Sequence, residues 1–122
     1  MRERLPDVRQ SLTHKFIIHS DPPTKFYVTA GLFENGSPGE VFVTMEDMES
    51  GIHGLMNIIA ILISLCLQSG VPLEKLIEKL SWQSFAPQGF TDDPEIKYAN
   101  SMPDAIIRWM EQRFSPKKAE TL

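Results

Sequence analysis

Phe90, Asn100 and Arg108 have the types that a nucleotide-binding surface requires. A phenyl ring gives a base something to stack on, a carboxamide reads a base edge or a ribose, and a guanidinium fork meets phosphate. Arg113 supplies a second cation on the same helix pattern. Phe90 lies in the run Ser84-Phe85-Ala86-Pro87-Gln88-Gly89-Phe90-Thr91. Neither flanking helix pattern continues through it, because Pro lacks an amide hydrogen and Gly weakens a helix. Its two rings either plug the core from outside or form a stacking surface. Ser50-Gly51-Ile52-His53-Gly54 opens a long apolar run. At such a helix start, free amides and the positive dipole end attract anions, so Ser50 and Gly51 are ligand candidates. The competing reading of Ser50 is a plain N-cap. The competing reading of Arg108 and Arg113 is a solvated helix face anchored by Trp109.

No spacing in the chain assembles a catalytic group. His14, His19 and His53 are far apart and form no HxxxH or HExxH pattern, so no metal site is expected. Cys66 is the only cysteine and stands between Leu65 and Leu67, which reads as a buried, inert thiol. A single cysteine excludes an intramolecular disulfide and a cysteine-based zinc site within one chain. Ser37 is not in a GxSxG turn. Gly36-Ser37-Pro38-Gly39 lacks the Lys and Ser/Thr of a phosphate-binding P-loop and reads as a hairpin turn. Asp92, Asp93 and Glu95 cluster around a Pro, as a solvated loop does; a divalent ion is the alternative. The expectation is a binding protein with no catalytic residue, no metal and no cofactor.

The elements that must position these residues are legible in outline. The 122 residues, 42% hydrophobic and 23% charged, suit one small domain. A net charge of -4 argues against binding duplex nucleic acid, although Arg2, Arg4, Arg9 and Lys15 make the N-terminal segment basic. No signal peptide is expected, and the lone cysteine fits a reducing cytoplasm. The run Leu55–Leu67 is apolar but short of a bilayer span, which predicts a buried core helix. Its apolar residues on every side also hint at a surface shared with a second chain. Residues 1–14 read as an extended polar segment, 15–114 as one domain and 115–122 as a frayed tail. Strands are predicted at Lys15–Ser20, Phe26–Phe33 and Glu40–Met45, the last two joined across Asn35-Gly36. Helices are predicted from Ser50-Gly51 to about Leu67, over Leu73–Leu80, and up to about Phe114, with Pro72 and Pro103 in first turns. The order gives an α+β fold: an antiparallel sheet of about three strands with three helices packed on one face.

A resemblance covers most of the chain. Arg2-Glu3-Arg4-Leu5-Pro6, Thr13-His14-Lys15-Phe16, Gly36-Ser37-Pro38-Gly39-Glu40-Val41-Phe42-Val43, Gly54-Leu55-Met56, Gly70-Val71-Pro72-Leu73, Phe85-Ala86-Pro87-Gln88-Gly89-Phe90-Thr91 and Ala99-Asn100-Ser101-Met102 recur in order. The chain thereby resembles the C-terminal, TSCPD-type domain of adenosylcobalamin-dependent ribonucleotide reductases. The reductase barrel, its radical-forming cysteines, its cobalamin site and its cysteine-rich tail have no counterpart here, so the resemblance does not imply reductase activity. As a free-standing domain, the chain is also similar to phage anti-Thoeris sponges of the first anti-defence family. That second resemblance implies a cytoplasmic homo-oligomer, a dimer or a trimer of dimers. It would sequester a small nucleotide signal, a cyclic ADP-ribose isomer or cyclic oligonucleotide, without cleaving it, acting in the host cytoplasm if phage-encoded. It would use Phe90 and Asn100, with Arg108 and Arg113. The alternative is an accessory or allosteric module of a split ribonucleotide reductase. No membrane partner is implied.

Overall fold

The structure, a computed structural model, describes residues 3–46 and 51–115. Ser50, the predicted cap, and residues 116–122 lie outside the described residues. The elements in chain order are β1 (Ser11–Ile18), β2 (Thr24–Leu32), β3 (Pro38–Met45), α1 (Gly51–Gln68), α2 (Leu73–Leu80), β4 (Gly89–Phe90), β5 (Tyr98–Ala99) and α3 (Met102–Phe114). The class is α+β, as expected, with a three-stranded sheet in the order β1-β2-β3. The two-stranded ladder β4-β5 was not predicted. β1 also begins at Ser11, inside the segment read as extended and polar.

Two compact units make up the chain. One takes its described residues from Met1–Phe16 and Lys25–Val71, the other from Ile17–Thr24 and Pro72–Leu122.

The first unit is the sheet with α1. β2 and β3 pair antiparallel, with Val28 opposite Val43 and Ala30 opposite Val41. Alternation puts Phe26, Val28, Ala30, Val41 and Val43 on one face, all buried, and leaves Tyr27 and Phe42 on the other, exposed. Phe16 stacks on Phe26 at 5.3 Å between ring centroids. The turn before β3 is built by Asn35, whose Oδ1 accepts from Ser37 N at 3.0 Å and from its hydroxyl at 2.6 Å. Gly36 takes the positive φ of 87° that this turn needs. These bonds account for Gly36-Ser37-Pro38-Gly39 as hairpin chemistry.

Helix α1 lies along β3, an edge strand whose outer backbone groups need partners. Val41 N donates to Ser64 Oγ at 2.8 Å, and Gln68 Nε2 donates to Gly39 O at 3.0 Å. Met56, Ala60, Ile63 and Leu67, at helical spacing, are buried on the same side. The opposite side is exposed, so α1 is only partly the core helix predicted. Its 18 residues are also, by length and composition, long and apolar enough to cross a membrane, where Leu55–Leu67 alone was read as too short. Only 28% of the helix is buried.

The second unit pairs α2 with α3. Leu73 and Leu76 of the amphipathic α2 are buried, as are Met102, Ala105, Ile106, Ile107, Trp109 and Met110 of α3. Ser101 caps α3, its Oγ accepting from Asp104 N at 3.1 Å, and Pro103 occupies the first turn, where a missing donor costs nothing.

Candidate functional site

The candidate site is the connection between α2 and α3, residues 81–101, within the second unit. Its organiser is Asp104, which is fully buried. One carboxylate oxygen accepts from Trp82 N at 2.6 Å and from Arg108 Nε at 3.1 Å. The other accepts from Asn100 N at 2.9 Å and from Arg108 Nη2 at 2.7 Å. Both ends of the connection are thus pinned to one side chain. A buried carboxylate is tolerated when it is paired and hydrogen-bonded in this way.

Trp82 follows the end of α2 with a φ of 69°, which non-glycine residues rarely adopt. The hydrogen bond its backbone N–H donates to Asp104 holds that conformation, and the Arg108 guanidinium lies over its ring at 4.2 Å. Farther along, Phe85 N donates to Asn100 O at 3.0 Å, so the strands of the loop face each other before the β4-β5 ladder begins. Gly89 pairs with Ala99 and Phe90 with Tyr98. Ile17–Thr24 belong to this same unit and brace the ladder: His19 N donates to Phe90 O at 2.7 Å, and His19 Nε2 meets Asp92 Oδ1 at 2.6 Å. Gly89 has a φ of 156°, and a Cβ there would stand 3.1 Å from His19 O. Glycine is required on both counts.

The acidic cluster is turn architecture. Asp93 Oδ1 accepts from Glu95 N at 2.8 Å and from Ile96 N at 2.9 Å, and the Thr91 hydroxyl donates to Ile96 O. Asp92 is engaged with His19. Among the described residues, no three His, Cys, Asp or Glu side chains come together as metal ligands.

The predicted ligand residues divide. Phe90 is 67% exposed, and its ring meets Tyr98 edge-on at 5.2 Å. Phe85 is exposed as well, so neither ring plugs the core. Asn100 is half-buried, and its backbone holds the loop. Arg108 is turned inward, onto Asp104, the Trp82 ring and Tyr98 O. Arg113 is exposed in the last turn of α3. Phe90, Asn100 and Arg108 are therefore tied together through Tyr98 and Asp104. Gly51 belongs to the first unit, with open space around it, and Ser50 lies outside the described residues. Sequence reasoning missed Asp104, Trp82 and Tyr98. The signal for Asp104 was present: Ser101-x-x-Asp104 is a variant of the capping box, and Asp104 and Arg108 stand at i,i+4. Nothing local marked Trp82.

Comparison with known proteins agrees on one family. Residues 2–114 match the TSCPD domain. The chain is 45% identical over 113 residues to a vitamin B12-dependent ribonucleotide reductase of Rhodopirellula baltica, covering 93% of this chain and 11% of that protein. Proteins of the same name from Streptantibioticus cattleyicolor and Agrobacterium fabrum are 36% and 38% identical, with 95% and 88% of this chain covered. The chain spans 19% and 8% of their lengths. No solved structure matches. Two grooves of the first unit, lined by Arg9, Phe33 and Glu34 and by Arg4, Arg9 and Glu40, measure about 360 and 250 Å³. Neither has the size for a corrin. Shared sequence over nearly the whole length, on an α+β scaffold, makes this chain a member of the TSCPD domain family.

Proposed function

We propose that this chain is an accessory module of a vitamin B12-dependent ribonucleotide reductase, one that docks on the catalytic body and carries no chemistry of its own. The observation that carries the reading is the 45% identity over 93% of the chain to one such reductase. The exposed side chains support it. Trp82, Phe85, Phe90 and Tyr98 of the second unit all present aromatic surface to solvent. Aromatic residues are enriched where proteins meet, and this edge is held rigid by Asp104 and the β4-β5 ladder. A cytoplasmic location goes with this reading.

A second reading is favoured by the exposure of Phe90. A ring 67% exposed and braced by Tyr98 is a ready stacking face for a base. On that reading the chain captures a small nucleotide, a cyclic ADP-ribose isomer or cyclic oligonucleotide, as an anti-defence sponge. Arg113 is then the more accessible cation, because Arg108 would have to leave Asp104 to reach phosphate. None of the relatives named above is described in those terms, and the reductase reading ranks first.

Calorimetry separates the two. The purified chain is titrated with the purified reductase polypeptide from the same cell, and separately with ATP, the deoxynucleoside triphosphates and cyclic ADP-ribose. Micromolar binding to the reductase, with weak nucleotide binding, is the expected result. Tight nucleotide binding with no affinity for the reductase overturns it in favour of the sponge.

A further inference from the structure

The exposed side of α1 is the largest apolar feature that neither reading of the aromatic edge uses. Ile52, Leu55, Ile58, Ile61, Leu62 and Leu65 are each 39–64% exposed. Apart from Ile52, which stands one turn before Met56, they point away from the stripe of Met56, Ala60, Ile63 and Leu67 that packs in the first unit. We propose that this side of α1 is the interface of a homodimer, with the same side of a second copy as its occupant.

Three observations select a second copy. The first is spacing. Leu55, Ile58, Leu62 and Leu65 recur at intervals of three, four and three, the interval at which two helices mesh side by side. The second is charge. Gly51–Gln68 contains no Asp, Glu, Lys or Arg. In a two-fold contact, residues near the axis meet their own equivalents, and any charge there would face itself. This helix has none to repel, and none with which to select an unlike partner. The third is area. The five side chains that point away expose on the order of 500 Å² per copy, large for a patch on a monomer and more than half of the ~800 Å² per partner of a standard interface. The neighbouring exposed Gly51, Gly54, Asn57 and Ser69 supply a rim.

A bilayer is a poorer occupant. One side of α1 is fastened to β3 through Ser64 and Gln68, so the helix cannot enter lipid without abandoning those bonds. An interfacial helix also draws on Lys and Arg along its polar border, and α1 has none. This inference does not depend on the reductase reading, and it is tested on the chain alone.

The test is the solution mass of the full chain by light scattering, from about 1 to 100 µM, a range that brackets a micromolar dimer. A mass near twice 13.9 kDa at the upper end is expected. Leu62→Glu and Ile58→Glu are each expected to weaken dimerisation by at least about 100-fold, because a charge would be buried unpaired on both copies. Their circular dichroism should stay that of the wild type, since both positions face solvent within one copy. A wild-type monomer at the highest concentration overturns the proposal, including one whose α1 binds the reductase or sediments with vesicles. A dimer that survives both substitutions also overturns it, because its interface would then lie elsewhere.

Discussion

Helix α1 carries no charged residue over eighteen positions, yet it buries only five of them. Helix α3 carries Asp104, Arg108, Glu111 and Arg113 in thirteen positions, yet it buries eight. Apolarity alone would have ranked them the other way. The difference lies in what each helix must satisfy. Among the described residues α1 packs chiefly on β3 and leaves Leu55, Ile58, Ile61, Leu62 and Leu65 exposed. α3 is packed against α2 and under the loop that leads into it, and its polar residues are there to tie that loop down. A polar residue in such a place is worth more to the fold than a Leu on an open face, and this contrast can be broken by substitution.

The largest effect is expected at Asp104. Asp104→Ala leaves Arg108 without its carboxylate and two loop amides, of Trp82 and Asn100, without an acceptor. Removing one partner of a buried ion pair costs about 3–5 kcal/mol, so urea denaturation should show the loss of a large part of the protein's stability. Asp104→Asn, which keeps one acceptor oxygen, should cost less. A change below about 1 kcal/mol for Asp104→Ala would mean that α3 is held by its apolar side chains alone.

Within α1 the contrast falls between neighbours. Ile63 is 3% exposed and Leu62 is 55% exposed. Ile63→Ala should cost about 2–4 kcal/mol through the cavity it leaves. Leu62→Ala should cost less than about 0.5 kcal/mol in dilute protein. At high concentration, Leu62→Ala should also remove the rise in Tm that dimerisation gives by mass action. Equal costs at the two positions in dilute protein would erase the distinction between the faces.

The contrast also shows where the sequence was informative. The bounds of α2 and the C-terminal end of α3 agree with Leu73–Leu80 and Phe114; Pro103 stands in the first turn of α3 as expected, whereas Pro72, expected in a first turn, is the extended N-cap residue of α2. β2 and β3 follow from an Asn-Gly turn between β-branched and aromatic runs. The ladder β4-β5 was invisible because its strands are two residues each, below any periodicity. The exposure of α1 was out of reach for another reason: its sequence is apolar on every side, so periodicity cannot say which side meets the sheet. Of the site, Phe90 and Asn100 were marked by residue type alone. Arg108 has the type of a phosphate ligand, but its guanidinium is taken by Asp104, one helical turn earlier and three residues after the Ser101 cap.

A smaller effect is expected at Gly89, on the loop rather than the helices. Gly89→Ala forces a side chain into a φ of 156° and against His19 O. Strain of this kind costs about 1–3 kcal/mol. Because the strain falls on the ladder that carries Phe90, the substitution should also disturb the aromatic edge. Loss of the His19 amide's protection from hydrogen exchange would locate the damage at its bond to Phe90 O.

The smallest effect on stability belongs to Phe90, and there it discriminates best. With 67% of its surface exposed and only an edge contact to Tyr98, Phe90→Ala removes little burial. Its unfolding free energy should change by less than about 0.5 kcal/mol, the range of ordinary surface substitutions. Whatever binding depends on the aromatic edge should fall by about tenfold or more, because an aromatic anchor is worth upward of ~1.4 kcal/mol at an interface or under a base. The pairing of those two results is what matters. An unchanged Tm with weakened reductase binding assigns the edge to protein docking. An unchanged Tm with weakened nucleotide binding assigns it to stacking. A fall of several degrees in Tm would show that Phe90 belongs to the packed interior, and the edge would then lose its claim to be a binding surface.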